Sequence, residues 1–260
     1  MGSDSIYLTE VFGPTLQGEG ILAGTMTSFV RTAGCTVGCK TCDTVHSWPF
    51  GSHPKKMHPL MRIADVLVVV DSHRTKYVVV TGGEPLESED MEAFCVLLGG
   101  LQYELCLHTT VETSGSVAVS TAWIDRLMDK VDLWSFSPKV SSMRPVKPPI
   151  PDFIAQVLKH PDRAQGQLKF VVDPAQPKAF EEVGELLRQL TDLGCPKVPL
   201  LLQVLTKRSG NPQIEPVVQQ ILADQRRLFE ATYALKADWG LWHPQDARIS
   251  CQTHVLTGVR

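Results

Sequence analysis

Short apolar runs alternate with amphipathic stretches along this 260-residue chain, and this alternation constrains its fold more than any other feature. Repetition of strand and helix with few hairpin signals is typical of a parallel sheet covered by helices. The pattern predicts strands at Ser28–Thr32, Tyr77–Val80, Leu105–Val111, Leu133–Ser137, Gln167–Val172, Val198–Leu205 and around Ile249–Gln252. It predicts helices at Leu60–Asp71, Met91–Gly99, Ala122–Met128, Phe180–Leu193 and Val217–Ala234.

Six or seven such strands predict an α/β fold, an open or partial (β/α) barrel with a mainly parallel sheet. Sites in these folds gather at the carboxyl ends of the strands. Two loops, Trp48–Pro59 and Arg144–Asp152, are rich in proline, but strand–helix units continue on both sides of each. We therefore predict a single domain over residues 1–260.

The composition argues against several classes of protein. Hydrophobic residues make up 43% and charged residues 20%, which is ordinary for a globular protein and unlike a disordered or fibrous one. The net charge of −3 lacks the basic excess of a typical nucleic-acid binder. No stretch approaches the ~20 apolar residues of a membrane span, and the first residues do not resemble a signal peptide. These observations predict a cytoplasmic protein with neither a membrane nor a nucleic acid as partner.

Three of the seven cysteines, Cys35, Cys39 and Cys42, form a C-x3-C-x2-C motif, and the odd total argues against a closed disulfide framework. Thiolates this close are expected to converge on one metal centre, and they select zinc, copper(I) or iron–sulfur clusters. A structural zinc site would need a fourth ligand, which His46 could supply. An iron–sulfur cluster usually takes four cysteines, so three would leave one iron open to a substrate or cofactor.

A second motif, Thr81–Pro85, reads Thr-Gly-Gly-Glu-Pro and follows the apolar strand Tyr77–Val80. Two glycines at the end of a strand let the backbone approach a ligand closely, and Glu84 places a carboxylate there. By itself the motif is equally compatible with a plain junction between a strand and a helix.

Together the two motifs resemble the radical S-adenosylmethionine (SAM) superfamily. Additional segments narrow the resemblance to the 7-carboxy-7-deazaguanine synthases, which act in queuosine and 7-deazapurine biosynthesis. These segments are Thr15–Gly20, Phe29–Arg31, Asp43–Thr44, Ser47–Trp48, Glu112–Gly115, Ser137–Lys139 and Arg248–His254. The chain departs from the family where members often carry Gln-Pro, because here Val204 follows Gln203.

The resemblance implies roles for individual residues. It implies that Cys35, Cys39 and Cys42 hold a [4Fe–4S] cluster, and that Thr44 binds Mg²⁺ together with the substrate. The implied SAM contacts are Thr41, Cys42, Asp43, Gly83, Glu84, Ser114, Ser137, Pro138, Lys139 and Gln203. The implied substrate contacts are Leu16, Gln17, Gly18, Glu19, Arg31, Thr81 and His254.

The residue types fit these roles, but they also fit plainer ones. Arg31 can grip a substrate carboxylate with its planar fork, or it can pair with a carboxylate of the protein. Thr44 can offer its hydroxyl to Mg²⁺, or it can cap the start of a helix.

The implied reaction is a radical contraction of 6-carboxy-5,6,7,8-tetrahydropterin to 7-carboxy-7-deazaguanine, assisted by Mg²⁺ and releasing ammonia, as in a carbon–nitrogen lyase. The resemblance also implies a homodimer and an electron donor such as flavodoxin. Two alternatives share part of the pattern. A radical SAM activase would make a glycyl radical on a partner protein, and a zinc-holding scaffold module would have no catalytic activity.

Overall fold

The computed structural model describes residues 4–48, 58–88, 90–205 and 214–250, and within them nine strands form one sheet. The strands are β1 (Ser5–Leu16), β2 (Met26–Thr32), β3 (Leu60–Arg62), β4 (Tyr77–Gly82), β5 (His108–Thr113), β6 (Leu133–Phe136), β7 (Gln165–Val172), β8 (Leu200–Val204) and β9 (Arg248–Ser250). The α-helices are α1 (Ile63–Ser72), α2 (Met91–Gly99), α3 (Thr121–Met128), α4 (Pro151–Leu158), α5 (Pro177–Asp192) and α6 (Ile214–Ala234).

The sheet order is β3-β1-β2-β4-β5-β6-β7-β8-β9. Neighbours from β2 onward are parallel, whereas β1 pairs antiparallel with both β2 and β3. The sheet is not closed, since β3 and β9 are its two edges in the part of the chain that the structure describes. This arrangement confirms the predicted α/β fold with an open, mainly parallel sheet.

The antiparallel edge differs from the sequence-based prediction, which contained neither β1 nor β3. The alternation of side chains along β1 is interrupted by register shifts between Leu8 and Glu10 and between Phe12 and Thr15. The predicted helix Leu60–Asp71 was wrong in its first turn, because that turn pairs with β1 as strand β3. Such pairing is a tertiary effect, and it overrides the local helical pattern.

A further difference concerns the region after the proline-rich loop. Helix α4 begins at Pro151, where a proline suits the first helical position because its missing N–H would have no partner there. The sequence pattern gave this helix no prediction. By contrast, the structure places α2 at the predicted bounds, Met91–Gly99.

The two faces of the parallel strands differ in chemistry. Alternate residues such as Val80, Val111, Phe136 and Leu168 are fully buried in the large apolar core that also contains residues of α1 to α6. The residues between them face the other side, since successive side chains of a strand point to opposite faces. We call this second face the polar face, and its buried polar side chains include Ser135, Gln167, Lys169 and Gln203. Among the described residues, no helix is both long and apolar enough to cross a membrane.

Candidate active site

The three cysteines lie on a loop that follows β2 and closes on itself. We call residues Gly34–Trp48 the cysteine loop. Its ends are joined by a hydrogen bond of 3.0 Å from Gly34 N to Ser47 O, and Ser47 Oγ donates to Thr44 O at 2.7 Å. Cys39 is buried beside Val37 and Met143, and the half-buried Cys35 and Cys42 pack against the same small apolar group. The fold therefore packs all three cysteines against one small apolar group.

Burial sets the acidity of these thiols. It raises the pKa of Cys35 to about 12 and also raises the pKa of Cys39, where the charge of Lys139 acts in the opposite direction. A metal centre must displace these protons, because the thiolate is the ligand.

The assignment of the three thiols to one metal centre stays a prediction. In the described segments, no three His, Cys, Asp or Glu side chains come close enough together to hold a single metal ion. A multi-iron cluster does not require such convergence, since each cysteine binds a different iron. His46, the fourth ligand of the zinc alternative, is half-exposed and has its Nε2 3.7 Å from Glu10 Oε1.

The Gly-Gly-Glu turn after β4 packs directly on the cysteine loop. Gly83 N donates to Thr32 O at 3.2 Å, and Glu84 N donates to Gly34 O at 2.8 Å. A Cβ at Gly83 would overlap the Gly34 carbonyl and lie 2.8 Å from Cys35 Cβ. Glycine therefore permits the close approach of two backbone segments that holds the first cysteine in place.

Glu84 joins this turn to the end of β5. The residue is fully buried, and its Oε1 accepts from Thr113 Oγ1 at 2.6 Å and from Leu86 N at 3.3 Å. Its Oε2 accepts from Ser114 N at 2.8 Å and from Ser114 Oγ at 2.6 Å. Burial raises the pKa of Glu84, while these four donors work against that rise. Glu84 and Ser114, two of the predicted SAM contacts, are thus bonded to each other.

The remaining predicted SAM contacts lie on neighbouring loops and strands. Ser137 follows β6, where its N donates to Thr113 O at 2.7 Å and its Oγ accepts from Lys139 Nζ at 2.9 Å. Thr41 is exposed on the cysteine loop, with Met143 O 3.4 Å from its hydroxyl. Gln203, near the carboxyl end of β8, is only 3% exposed, and its Oε1 has no hydrogen-bond partner in the structure. Pro138 is buried beside Ser137, and Asp43 is exposed beside Cys42.

The polar face of the sheet carries a row of side chains in register. Arg31 on β2 pairs with Thr81 on β4, and Ser135 on β6 pairs with both Glu112 on β5 and Gln167 on β7. Arg31 and Thr81 are predicted substrate contacts. The sequence pattern gave no role to the other three residues of the row, Glu112, Ser135 and Gln167.

Arg31 has a partner within the protein. Its Nε donates to Glu10 Oε1 on β1 at 2.9 Å, and its guanidinium lies 5.8 Å from the ring centroid of Phe12. The side chain is 14% exposed. The structure thus shows the ion pair that the sequence left open, at the rim of the polar face.

The loop between β1 and β2 lies at the polar face and contacts side chains of β5, β7 and β8. Gln17 Nε2 donates to Glu112 Oε1 at 3.3 Å, and Glu19 N donates to Gln17 Oε1 at 3.2 Å. The Glu19 carboxylate is ion-paired with Lys169 on β7 and accepts from Gln203 Nε2 at 3.1 Å. We call Gln17, Glu19, Glu112, Lys169 and Gln203 the polar cluster. Two other predicted substrate contacts are nearby, since Gly18 is in this loop and Leu16 is the last residue of β1.

The sequence pattern predicted no role for two residues on this face, Gln167 and Lys169. Gln167 accepts from Ile21 N at 2.8 Å and donates to Ser135 Oγ at 2.7 Å, so it anchors the β1–β2 loop. Lys169 carries the positive charge of the polar cluster. A signal existed, because both are polar at alternate positions of an otherwise apolar strand, as a polar face requires.

Thr44 does not cap a helix through its side chain. It precedes the short 3₁₀ helix Val45–Ser47, but it makes no side-chain cap there. Its hydroxyl instead lies 3.4 Å from Cys42 Sγ. The other predicted substrate residue near the chain end, His254, lies outside the described residues.

Comparisons with known proteins agree with this arrangement. Residues 16–134 match the family model described as a 4Fe-4S single cluster domain. A 7-carboxy-7-deazaguanine synthase from Halobacterium salinarum is 35% identical over 195 residues, covering 68% of this chain and 69% of that protein. The synthases of Pyrobaculum aerophilum and Rhodopirellula baltica are 34% and 30% identical, covering 72% and 82% of this chain and 86% and 80% of theirs. The chain belongs to the 7-carboxy-7-deazaguanine synthase family.

Solved structures show the same fold. QueE from Escherichia coli matches with a TM-score of 0.59 and 24% identity, covering 95% of this chain and 94% of that chain. Streptococcus suis SuiB bound to S-adenosylmethionine matches with a TM-score of 0.50 and 12% identity, covering 86% of this chain and 49% of that chain. The curated relatives confirm the family that the motifs indicated, and the solved structures agree in fold.

Proposed function

We propose that the protein contracts the ring of 6-carboxy-5,6,7,8-tetrahydropterin to give 7-carboxy-7-deazaguanine and ammonia, by radical SAM chemistry assisted by Mg²⁺. The observation that carries the proposal is the cysteine loop, buttressed by Gly83 and Glu84. Arg31 and Glu19, which are proposed to bind the substrate, lie at the polar face of the same sheet, Arg31 on β2 and Glu19 on the loop before it. The reaction class is a carbon–nitrogen lyase.

The donor set fits a [4Fe–4S] cluster bound by Cys35, Cys39 and Cys42. Three soft thiol ligands lie on one loop and pack against one apolar group, which suits iron–sulfur chemistry, and three ligands would leave one iron for SAM. The unpartnered and buried Gln203 Oε1 offers an acceptor for a donor of the bound cofactor. When bound, the cluster and SAM supply the radical that takes a hydrogen atom from the substrate.

The residues of the chain bind and orient the two ligands. Gly83, Ser137 and Lys139 are proposed to contact SAM, and Lys139, which donates to Ser137 Oγ, can balance a carboxylate of the cofactor. Thr41, Asp43 and Pro138 are proposed to complete this contact. Glu84 and Ser114 act through each other, since their hydrogen bonds fix the loops that carry the remaining contacts.

The substrate is proposed to lie against the polar face. Arg31 can turn the remaining N–H groups of its guanidinium toward the substrate carboxylate, while Glu10 fixes the side chain. Thr81 is the cross-strand neighbour of Arg31 in that row. Gln17 and Glu19 present oxygen and nitrogen atoms suited to the hydrogen-bonding edge of the pyrimidine ring. Leu16, Gly18 and His254 are proposed as further contacts.

The proposed Mg²⁺ site uses the hydroxyl of Thr44. Mg²⁺ prefers oxygen ligands and retains waters, so one hydroxyl together with substrate oxygens can complete its octahedron. The proposal is supported by the position of this hydroxyl, which lies beside Cys42 Sγ and does not cap a helix.

Replacing Thr44 with alanine tests this site. Thr44→Ala should keep iron content and SAM cleavage but lose most of its stimulation by Mg²⁺, whereas Thr44→Ser, which keeps the hydroxyl, should retain it. The measurement is product formation with and without added Mg²⁺. Equal stimulation of Thr44→Ala and the unaltered protein would contradict the metal assignment.

The proposed reaction is tested by anaerobic reconstitution with iron and sulfide, followed by incubation with SAM, reductant, Mg²⁺ and carboxytetrahydropterin. Mass spectrometry should show a product lighter by one ammonia, with SAM not consumed in proportion. SAM cleavage that leaves the pterin unchanged would reject the substrate and favour the glycyl-radical activase. Zinc in place of iron and sulfide would favour the scaffold module.

The same proposal includes a homodimer and a small redox protein such as flavodoxin as the electron donor. Flavodoxin in place of chemical reductant should support turnover, and sedimentation should give twice the mass of one chain.

A further inference from the structure

Lys169 is a charged residue in a place where charges are rare. It lies in the middle of β7, 5% exposed, between the apolar neighbours Leu168 and Phe170 that face the other side of the sheet. Lysine is seldom this deeply buried unless its ammonium group has a partner. Here the partner is the carboxylate of Glu19, which comes from a loop 150 residues earlier in the chain.

Three carboxylates influence this ammonium group from three different elements. Glu19 lies on the β1–β2 loop, Glu112 on β5 and Asp43 on the cysteine loop. Their charges raise the pKa of Lys169 above its ordinary value, although burial alone would lower it. Lys169 therefore stays protonated and provides a fixed positive charge on the polar face.

The contacts around Glu19 fix both its backbone and its side chain. Its N–H donates to Gln17 Oε1 at 3.2 Å, and its carboxylate accepts from Gln203 Nε2 at 3.1 Å as well as from Lys169. Two glycines, Gly18 and Gly20, flank Glu19, so without these contacts the segment would have many conformations. The contacts thus fix one conformation of a carboxylate at the proposed substrate position.

The ion pair of Lys169 and Glu19 does not by itself indicate a stabilising role. Replacing a buried ion pair by apolar residues of similar volume is often neutral or stabilising, so such a pair is weak evidence for a stabilising role. Gln203 Oε1, next to the pair, has no partner in the structure although the side chain is 3% exposed. That acceptor is proposed above for the cofactor, so the carboxylate of Glu19 is the group of this pair that can accept from the N–H donors of a second ligand.

We infer that Lys169 is a positioning residue of the substrate pocket, which acts through Glu19 to keep its carboxylate ionised and aimed at the N–H donors of an aminopyrimidine ring. This inference rests on the proposed function, because the ring belongs to the proposed pterin substrate. Lys169 itself need not touch the substrate.

The test compares four variants with the unaltered protein: Lys169→Met, Lys169→Arg, Glu19→Gln and the double variant Lys169→Met/Glu19→Gln. Each is reconstituted with its cluster, and binding of the fluorescent analogue 6-carboxypterin is titrated from about pH 5 to about pH 7.5, a range in which the ring of the analogue keeps its N–H donors and a carboxyl can change its protonation. Lys197→Met serves as the control, because it breaks a half-exposed ion pair with Asp246 away from the site.

Lys169→Met should weaken binding roughly tenfold or more at the acid end of this range, because loss of the neighbouring cation favours the protonated form of the Glu19 carboxyl. Binding should then recover as the pH rises and Glu19 loses that proton. Glu19→Gln and the double variant should bind weakly at every pH, whereas Lys169→Arg should stay within a few-fold of the unaltered protein and Lys197→Met should match it.

The double variant keeps the test decisive if Lys169→Met folds poorly, because it has no unpaired buried charge. Wild-type binding by the double variant, or a loss in Lys169→Met that does not change with pH, would overturn the inference and leave Lys169 as part of the fold. If the unaltered protein neither binds the analogue nor converts carboxytetrahydropterin, the proposed function itself fails, and this inference fails with it.

Discussion

The cysteine loop and the polar cluster lie on the same sheet but are held by different forces. Backbone hydrogen bonds and a glycine contact hold the loop, as Gly83 and Glu84 meet Thr32 and Gly34. Side chains of opposite charge hold the polar cluster, with Lys169 and Glu19 at its centre. Backbone contacts fix geometry whatever the pH, whereas a charged cluster depends on the protonation of its members.

This difference suits the two proposed tasks. A cluster needs its three thiols at fixed positions, and packed backbone supplies rigid positions. A polar ring needs donors and acceptors of the right charge, which only side chains can provide. Changes on the cysteine side should therefore remove the metal centre, while changes on the polar face should alter substrate affinity and leave the metal centre in place.

The largest effect is expected for Cys39→Ala. Cys39 is the most buried of the three motif cysteines, and its loss removes one of three proposed ligands. Iron and sulfide content and ring contraction should both fall to background after reconstitution. Cys195→Ala is the matched control, since that cysteine is also buried but lies in the large apolar core. A Cys39→Ala protein with full iron and sulfide content would refute the ligand assignment.

Gly83→Ala should have the next largest effect. The added Cβ would overlap the Gly34 carbonyl, so either the turn or the cysteine loop must shift. Overpacking of this kind costs about 1–3 kcal/mol and would displace Cys35. Because Cys35 is then out of place, iron content after reconstitution should fall to roughly half or less.

The control for this glycine is Gly99→Ala at the end of α2. A Cβ there would approach no atom closer than 3.7 Å, so iron content and thermal stability should not fall. Equal behaviour of the two variants would show that the close packing at Gly83 does not position the first cysteine.

Arg31→Lys tests the other side of the comparison. Lysine keeps the charge but loses the planar fork that can hold Glu10 and a substrate carboxylate together. KM for carboxytetrahydropterin should rise roughly tenfold, which corresponds to about 1.4 kcal/mol, while iron content stays unchanged. Arg226→Lys, on an exposed pair with Glu230, is the control. A loss of iron in Arg31→Lys would mean that the two regions are not separable in this way.

Local pattern predicted much of this molecule, and its failures share one physical cause. Periodicity located α2 and the parallel strands because those signals lie within a few residues of each other. Lys169 and Glu19 are 150 positions apart in the chain, and Glu84 is 29 positions from Thr113, which donates a hydrogen bond to it. Contacts at such separations depend on which strands become neighbours. The motifs predicted Glu84 as a site residue. Only the structure shows that its carboxylate links the turn after β4 to the end of β5.

Glu84→Gln should have the smallest effect, and its pH dependence would sharpen the contrast. All four hydrogen bonds to Glu84 come from donors, so an amide nitrogen would face at least one of them and cost about 1–2 kcal/mol. Burial raises the folded-state pKa of Glu84, so the folded protein holds this proton more tightly than the unfolded chain does. The stability gained from that proton is present below the unfolded pKa and is lost as the pH rises through the folded pKa.

The stability advantage of the unaltered protein over Glu84→Gln should therefore be larger in acid and shrink toward neutral pH. Urea unfolding of both proteins, prepared without the cluster, gives this difference at each pH. Glu230→Gln, at an exposed site, should stay within about 0.5 kcal/mol throughout. If the advantage grew with pH instead, the hydrogen bonds from Thr113 and Ser114 would outweigh burial at Glu84. The cysteine side would then depend on an ionised carboxylate, as the polar cluster does, and the contrast between backbone-held and charge-held regions would fail.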